Sequence, residues 1–197
     1  MKSWILAALI CGSNALSFGQ QAFELIQEKE QIYVYSNPVK NRKTIEYHAF
    51  TFIQNAQLHT VLEKLTRYGE HANWLYNCEY SELLEQQDNT AYLYQVCDAS
   101  WPFKDRDYVL ELVKTATQAN QTKITFQAVA NKYPVQQGHV RLDQFNGYWL
   151  LEQEGSAVKV TIFCSFDPKL NMPRAFRRSY EKKIPFNTLK NLRAAFY

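Results

Sequence analysis

Over much of the chain apolar and polar residues alternate every second position, as in strands that bury one face. Residues 44–54 show the pattern well: Ile45, Tyr47, Ala49, Thr51 and Ile53 share one face, while His48, Phe50 and Phe52 share the other. Both faces carry apolar groups, so both are expected to be covered. Similar segments occur at 32–35, 80–87, 90–97, 107–115, 122–131, 139–143, 147–154 and 157–166, separated by turn residues such as Asp88-Asn89, Asn120, Asn146-Gly147 and Gly155-Ser156. Strands in series with short turns predict an antiparallel meander, which must curl or be covered to hide its inner face.

Helical spacing appears where the alternation stops. Residues 23–26 are expected to form a short opening helix. Asn55 is placed as the N-cap of a helix in which Leu58, Val61, Leu62, Leu65 and Tyr68 form a stripe and Gly69 ends it; His59 lies off the stripe and is expected in solvent. A short helical piece over 70–76 carries Trp74. From Pro173, a favourable first helical residue, Ala175, Phe176, Tyr180 and Ile184 share a face, and Phe186, Leu189, Leu192 and Phe196 continue one beyond Pro185. Pro185 is expected to kink or break this helix. A long terminal helix against a curved antiparallel sheet is an α+β layout with space between its two layers.

Composition narrows the class. The 197 residues are 46% hydrophobic and 15% aromatic, enough core for one globular domain. A formal charge of +3, without a basic-aromatic motif, argues against nucleic acid as a partner. A basic start, an apolar run from Trp4 to Leu16 and small residues at Ser17 and Gly19 read as a signal peptide over 1–19, leaving 20–197 as the domain and an exported, periplasmic or secreted protein. Cys11 follows the bulky Ile10, a poor lipoprotein acylation site. Cys78 and Cys97 flank the turn at Asp88-Asn89, so they either face each other as a disulfide or stay as buried thiols. The scattered His48, His59, His71 and His139 suggest no metal, and no cofactor motif is present.

The chemistry concentrates at Trp101-Pro102-Phe103-Lys104-Asp105-Arg106-Asp107-Tyr108-Val109, a charged corner that runs into a strand. Further on come Val140-Arg141, then Gly147-Tyr148-Trp149-Leu150-Leu151, then Asp167-Pro168 with Met172-Pro173, then Pro185, Leu189 and Leu192-Arg193. In that order and at that spacing these pieces resemble the START domains, named after the steroidogenic acute regulatory protein, in a bacterial-type, secreted single-domain form. The resemblance implies a helix-grip (START/Bet v 1-like) fold. In it a curved antiparallel sheet wraps a long C-terminal helix around an internal hydrophobic cavity, and a lipid or other hydrophobic molecule is carried without chemistry on it.

Candidate ligand-binding residues are Arg106, Tyr94, Tyr108, Arg141, Tyr148, Phe176 and Tyr180. Arg106 occupies the position whose arginine, in some family members, meets a ligand phosphate or an acid on the preceding strand. That strand holds no acid here, so two readings stand: Asp98, Asp105 or Asp107 pairs with Arg106, or Arg106 is left for an anionic head group. On the strand reading of 139–143, Arg141 and Asp143 share a face and can form an exposed pair. The terminal helix carries Arg174, Arg177, Arg178, Lys182, Lys183, Lys190 and Arg193 against Glu181, a face that is either simply solvated or able to touch anionic membrane transiently. A monomer is expected. The alternatives are a helix-grip enzyme of cyclase or hydrolase type, which needs titratable groups inside the cavity, and a ligand-sensing interaction module.

Overall fold

The computed structural model describes residues 23–37, 43–99, 103–170 and 173–197. The signal-peptide reading, Trp101-Pro102 and Met172 lie outside the described residues. The elements are β1 (Glu24–Lys29), β2 (Ile32–Ser36), β3 (Ile45–Ile53), α1 (Leu58–Thr66), β4 (Cys78–Gln87), β5 (Thr90–Cys97), β6 (Arg106–Gln118), β7 (Gln121–Ala128), β8 (Val140–Arg141), β9 (Phe145–Glu154), β10 (Ala157–Phe166) and α2 (Arg174–Ala194), with a 3-10 segment at Tyr68–Asn73. The sheet runs β1-β2-β3-β10-β9-β7-β6-β5-β4, and β8 attaches to β6. The chain is thus an α+β helix-grip fold, with α2 packed against β2 and β3.

Alternation sets the core. In β3, Ile45, Tyr47, Ala49, Thr51 and Ile53 are buried and the residues between them half-buried, as their spacing predicts. On the other face aromatic rings cover one another: Tyr33 stacks on Phe50 at 4.7 Å between centroids, and Tyr148 on Phe163 at 5.5 Å.

Several local expectations are corrected. Residues 23–26 lead into strand β1 rather than a helix, because the turn at Glu30 and Gln31 (φ 53° and 58°) folds β1 back onto β2. Asn55 is not the N-cap; it takes φ 53° in the turn before α1, whose N-cap is Gln57 with no side-chain bond of its own. The first turn of α1 is capped from β9 instead, where Gln153 Oε1 accepts from Leu58 N–H at 2.7 Å and Gln153 Nε2 donates to the Ala56 carbonyl at 3.1 Å. The α1 helix stops at Thr66, and the expected helical piece at 70–76 is the 3-10 segment. The strand expected over 139–143 shrinks to Val140–Arg141 and runs parallel to β6, so the sheet is not a pure meander. Pro185 does not break α2, which runs through it without interruption.

Candidate functional site

The Arg-Asp-Tyr stretch is divided by the pleat of β6. Arg106, Tyr108, Leu110 and Leu112 face a cavity between the sheet and α2, whereas Asp107 and Val109 face the opposite way. The cavity is about 140 Å³. Its sheet wall includes Leu93, Phe126, Trp149 and Ile162, its helix wall Tyr180, Ile184 and Thr188, and the loop residues Asp98, Ala99, Pro168 and Leu170 lie at one end.

Asp107 is fully buried and forms a two-point pair with Arg141, Oδ1 to Nε at 3.0 Å and Oδ2 to Nη2 at 2.8 Å. The remaining guanidinium protons go to carbonyls: Nη1 donates to Ala130 and Tyr133 (2.6 and 2.9 Å) and Nη2 to Pro134 (3.0 Å). Every donor of Arg141 is thereby committed, which lets the pair persist away from water. This overturns the exposed Arg141–Asp143 pairing, since Asp143 binds Lys169 at 2.8 Å instead. It also takes Asp107 away from Arg106. Tyr94 belongs to the same outer cluster: its hydroxyl donates to Asp107 Oδ2 at 3.3 Å, and burial, then the Asp107 charge, push its pKa up to about 12.

Arg106 is held at the loop end of the cavity, 8% exposed. Its Nε donates to the Pro168 carbonyl at 3.2 Å and Nη1 to the Lys104 carbonyl, so it ties the corner before β6 to the segment leading into α2. Among the described residues no carboxylate forms an ion pair with Arg106, and Nη2 has no partner. Asp105 accepts from the Ala99 amide at 3.1 Å. Burial lowers the pKa of Arg106, with Tyr180 and Asp105 opposing it.

Of the sequence candidates, Arg106, Tyr108 and Tyr180 line the cavity. Tyr94 and Arg141 do not, because they occupy the opposite face with Asp107. Tyr148 is also on the outer face, against Phe163 and under Lys123 Nζ at 4.3 Å. Phe176 is 62% exposed on the first half of α2.

The cavity also contains polar residues that were not among those candidates: His71, Gln95, Tyr47 and Thr188. For Gln95 the signal was present, since it shares its strand parity with Leu93 and Cys97, which also line the cavity. His71 had no comparable signal, because it enters through the 3-10 segment. Its Nε2 lies 2.8 Å from the Leu65 carbonyl, and burial brings its pKa down to about 4, which keeps it neutral. Burial likewise raises Tyr47 and Tyr108 well above the ordinary tyrosine value. Cys97 Sγ lies 3.3 Å from the Tyr108 hydroxyl. Cys78 and Cys97 are direct partners in the β4–β5 register, yet both are free thiols.

Comparison with known proteins agrees with this geometry. Residues 55–193 match the family described as polyketide cyclase/dehydrase and lipid transport. An uncharacterised protein of Pseudomonas aeruginosa is 27% identical over 99% of this chain and 96% of its own length. The crystal structure of a STAR-related lipid transfer protein fragment from Xanthomonas axonopodis superposes with a TM-score of 0.80 at 26% identity, covering 88% of this chain and 98% of that one. Human STARD10 shares the fold with a TM-score of 0.76 at 18% identity, over 88% of this chain and 72% of its own. With its apolar cavity gripped between curved sheet and terminal helix, the chain belongs to the polyketide cyclase/dehydrase and lipid transport family, the START-like helix-grip proteins.

Proposed function

We propose that this protein binds one hydrophobic ligand in the cavity and carries it without altering it, with Arg106 selecting an anionic head group. The observation that carries this reading is an apolar cavity with one nearly buried guanidinium at its loop end that meets carbonyls rather than an acid. Apolar burial would hold the body of the ligand, and the planar fork of Arg106 suits a phosphate or carboxylate. A volume of about 140 Å³ is on the scale that holds a benzene-sized ring. A full lipid tail therefore requires the wall at Leu170, Tyr180 and Ile184 to move outward.

The exposed Phe176, together with Arg177, Arg178, Lys182 and Lys183, gives the first half of α2 the chemistry to meet an anionic bilayer while ligand is exchanged. From the apolar run over 4–16 in the sequence, the chain is proposed to be exported and to work outside the cytoplasm as a monomer.

Native mass spectrometry of protein purified from cells, followed by organic extraction, tests the reading: a stoichiometric hydrophobic ligand is expected. Arg106→Gln should weaken an anionic ligand about tenfold while leaving its neutral analogue unchanged. Failure to move any lipid between vesicles, despite tight binding, would leave a sensor rather than a carrier. The family's cyclase members support a second reading, for which turnover of a hydrophobic substrate, lost when His71 or Tyr108 is changed, is the required result.

A further inference from the structure

Gln95 is the polar centre of the cavity's sheet wall, 2% exposed and directly opposite Tyr108 in the β5–β6 register. The direction of its amide is fixed by two backbone carbonyls, which can only accept. Leu65 O lies 2.8 Å from His71 Nε2, so that nitrogen carries the proton and Nδ1 of the neutral ring is bare. The bare Nδ1 lies 3.1 Å from Gln95 Nε2, which must donate to it. In the same way Tyr68 O receives the Ser81 hydroxyl proton at 2.6 Å, leaving Ser81 Oγ to accept from Gln95 Nε2 at 3.0 Å. Both amide protons are thereby used. The carbonyl Oε1 accepts no hydrogen bond among the described residues. On the helix wall, Thr188 Oγ1 is buried with no hydrogen-bond partner among the described residues.

We infer that Gln95 Oε1 is a fixed acceptor subsite that reads a hydrogen-bond donor, a hydroxyl or amide N–H, on an otherwise apolar ligand. The inference rests on the cavity being a ligand site and adds the class of ligand: a neutral alcohol, phenol or amide group placed within the apolar body, separate from any anion at Arg106. A buried acceptor that cannot turn away discriminates strongly, because a ligand without the donor leaves it unpaired. The amide cannot simply flip to suit an acceptor ligand. Doing so would turn its oxygen toward the bare Nδ1 of His71 and break both bonds that hold it.

The test uses three probes close to the size of one benzene ring, phenol, anisole and toluene, titrated calorimetrically into the whole protein. The phenol is expected to bind about tenfold or more tightly than the other two, and Gln95→Met should level all three. Because that variant removes two internal hydrogen bonds, the side-chain carbonyl carbon of Gln95 is also followed by NMR in the unaltered protein. It should shift with the phenol and not with the anisole. Equal affinities for all three overturn the subsite while leaving the ligand cavity standing. A phenol preference that survives Gln95→Met, or a carbonyl resonance that does not move, overturns the assignment to Gln95. No binding of any probe overturns the cavity reading and the subsite with it.

Discussion

The chain spends its charges in two different ways on neighbouring residues. Asp107 and Arg141 form a closed, fully bonded pair on the outer face of β6, whereas Arg106, one residue away, faces the cavity and meets only carbonyls. Arg141→Ala would strand the Asp107 carboxylate in the interior and should lower unfolding stability by about 3–5 kcal/mol in denaturant titrations. Arg141→Lys should recover little of it, since an ammonium cannot reproduce the two-point contact or reach all three carbonyls.

His71 predicts a pH dependence. Its pKa is about 4 in the fold against an ordinary 6.5, so between those values the unfolded chain binds more protons. Stability should be complete above pH 6.5 and fall as pH drops toward 4, by up to about 3 kcal/mol. His48, whose pKa is lowered by burial and then by Lys159, acts in the same direction. Denaturation at pH 7 and pH 4.5 should show a smaller difference in His71→Gln, and an unchanged difference would assign the effect to other groups. At this scale the sequence was only partly legible. Parity along β6 was sufficient to place Arg106 and Tyr108 together, but the partner of Asp107 depends on a parallel pairing of two residues that no local pattern announces.

Among the elements, β9 shows where the sheet tolerates least. A Cβ on Gly147 would collide with the Phe163 carbonyl of β10 and come within 2.6 Å of Phe126 Cζ, a ring of the cavity wall. Gly147→Ala should therefore lower the melting temperature and perturb ligand binding together. A loss of stability with unaltered binding would show that the wall absorbs the shift.

The β3 strand was legible because burial of alternate residues imposes period two. The β5, β6 and β10 strands, which bury consecutive residues on both faces, were legible as β-branched and aromatic runs bounded by turn residues. The β1 strand was not, because its hairpin turn uses Glu30 and Gln31 at positive φ, where glycine or asparagine would have given the signal. Pro185 misled for a related reason. The C-terminal end of α2 is fixed by packing and by tertiary bonds, Arg193 Nη1 donating to the Glu30 carbonyl at 2.5 Å and, just past the helix, the Gln54 N–H donating to the Tyr197 hydroxyl at 3.1 Å, which hold the helix beyond a residue that local propensity disfavours.

For the whole molecule, the position of β10 beside β3 governs how the protein comes into being. Ile45 pairs with Phe166 and Ile53 with Val158, so the sheet joins its early and late halves only when nearly all of the chain is present. Such long-range pairing places refolding in the millisecond-to-second range expected of β-rich domains, and stopped-flow fluorescence of Trp74 and Trp149 should report it. A nascent chain that has not reached Ala157 has neither the closing strand nor α2, and so has no interior to offer. Ligand loading must then follow synthesis rather than accompany it. A truncated product would instead present the nine-residue β3 as an open template for other chains.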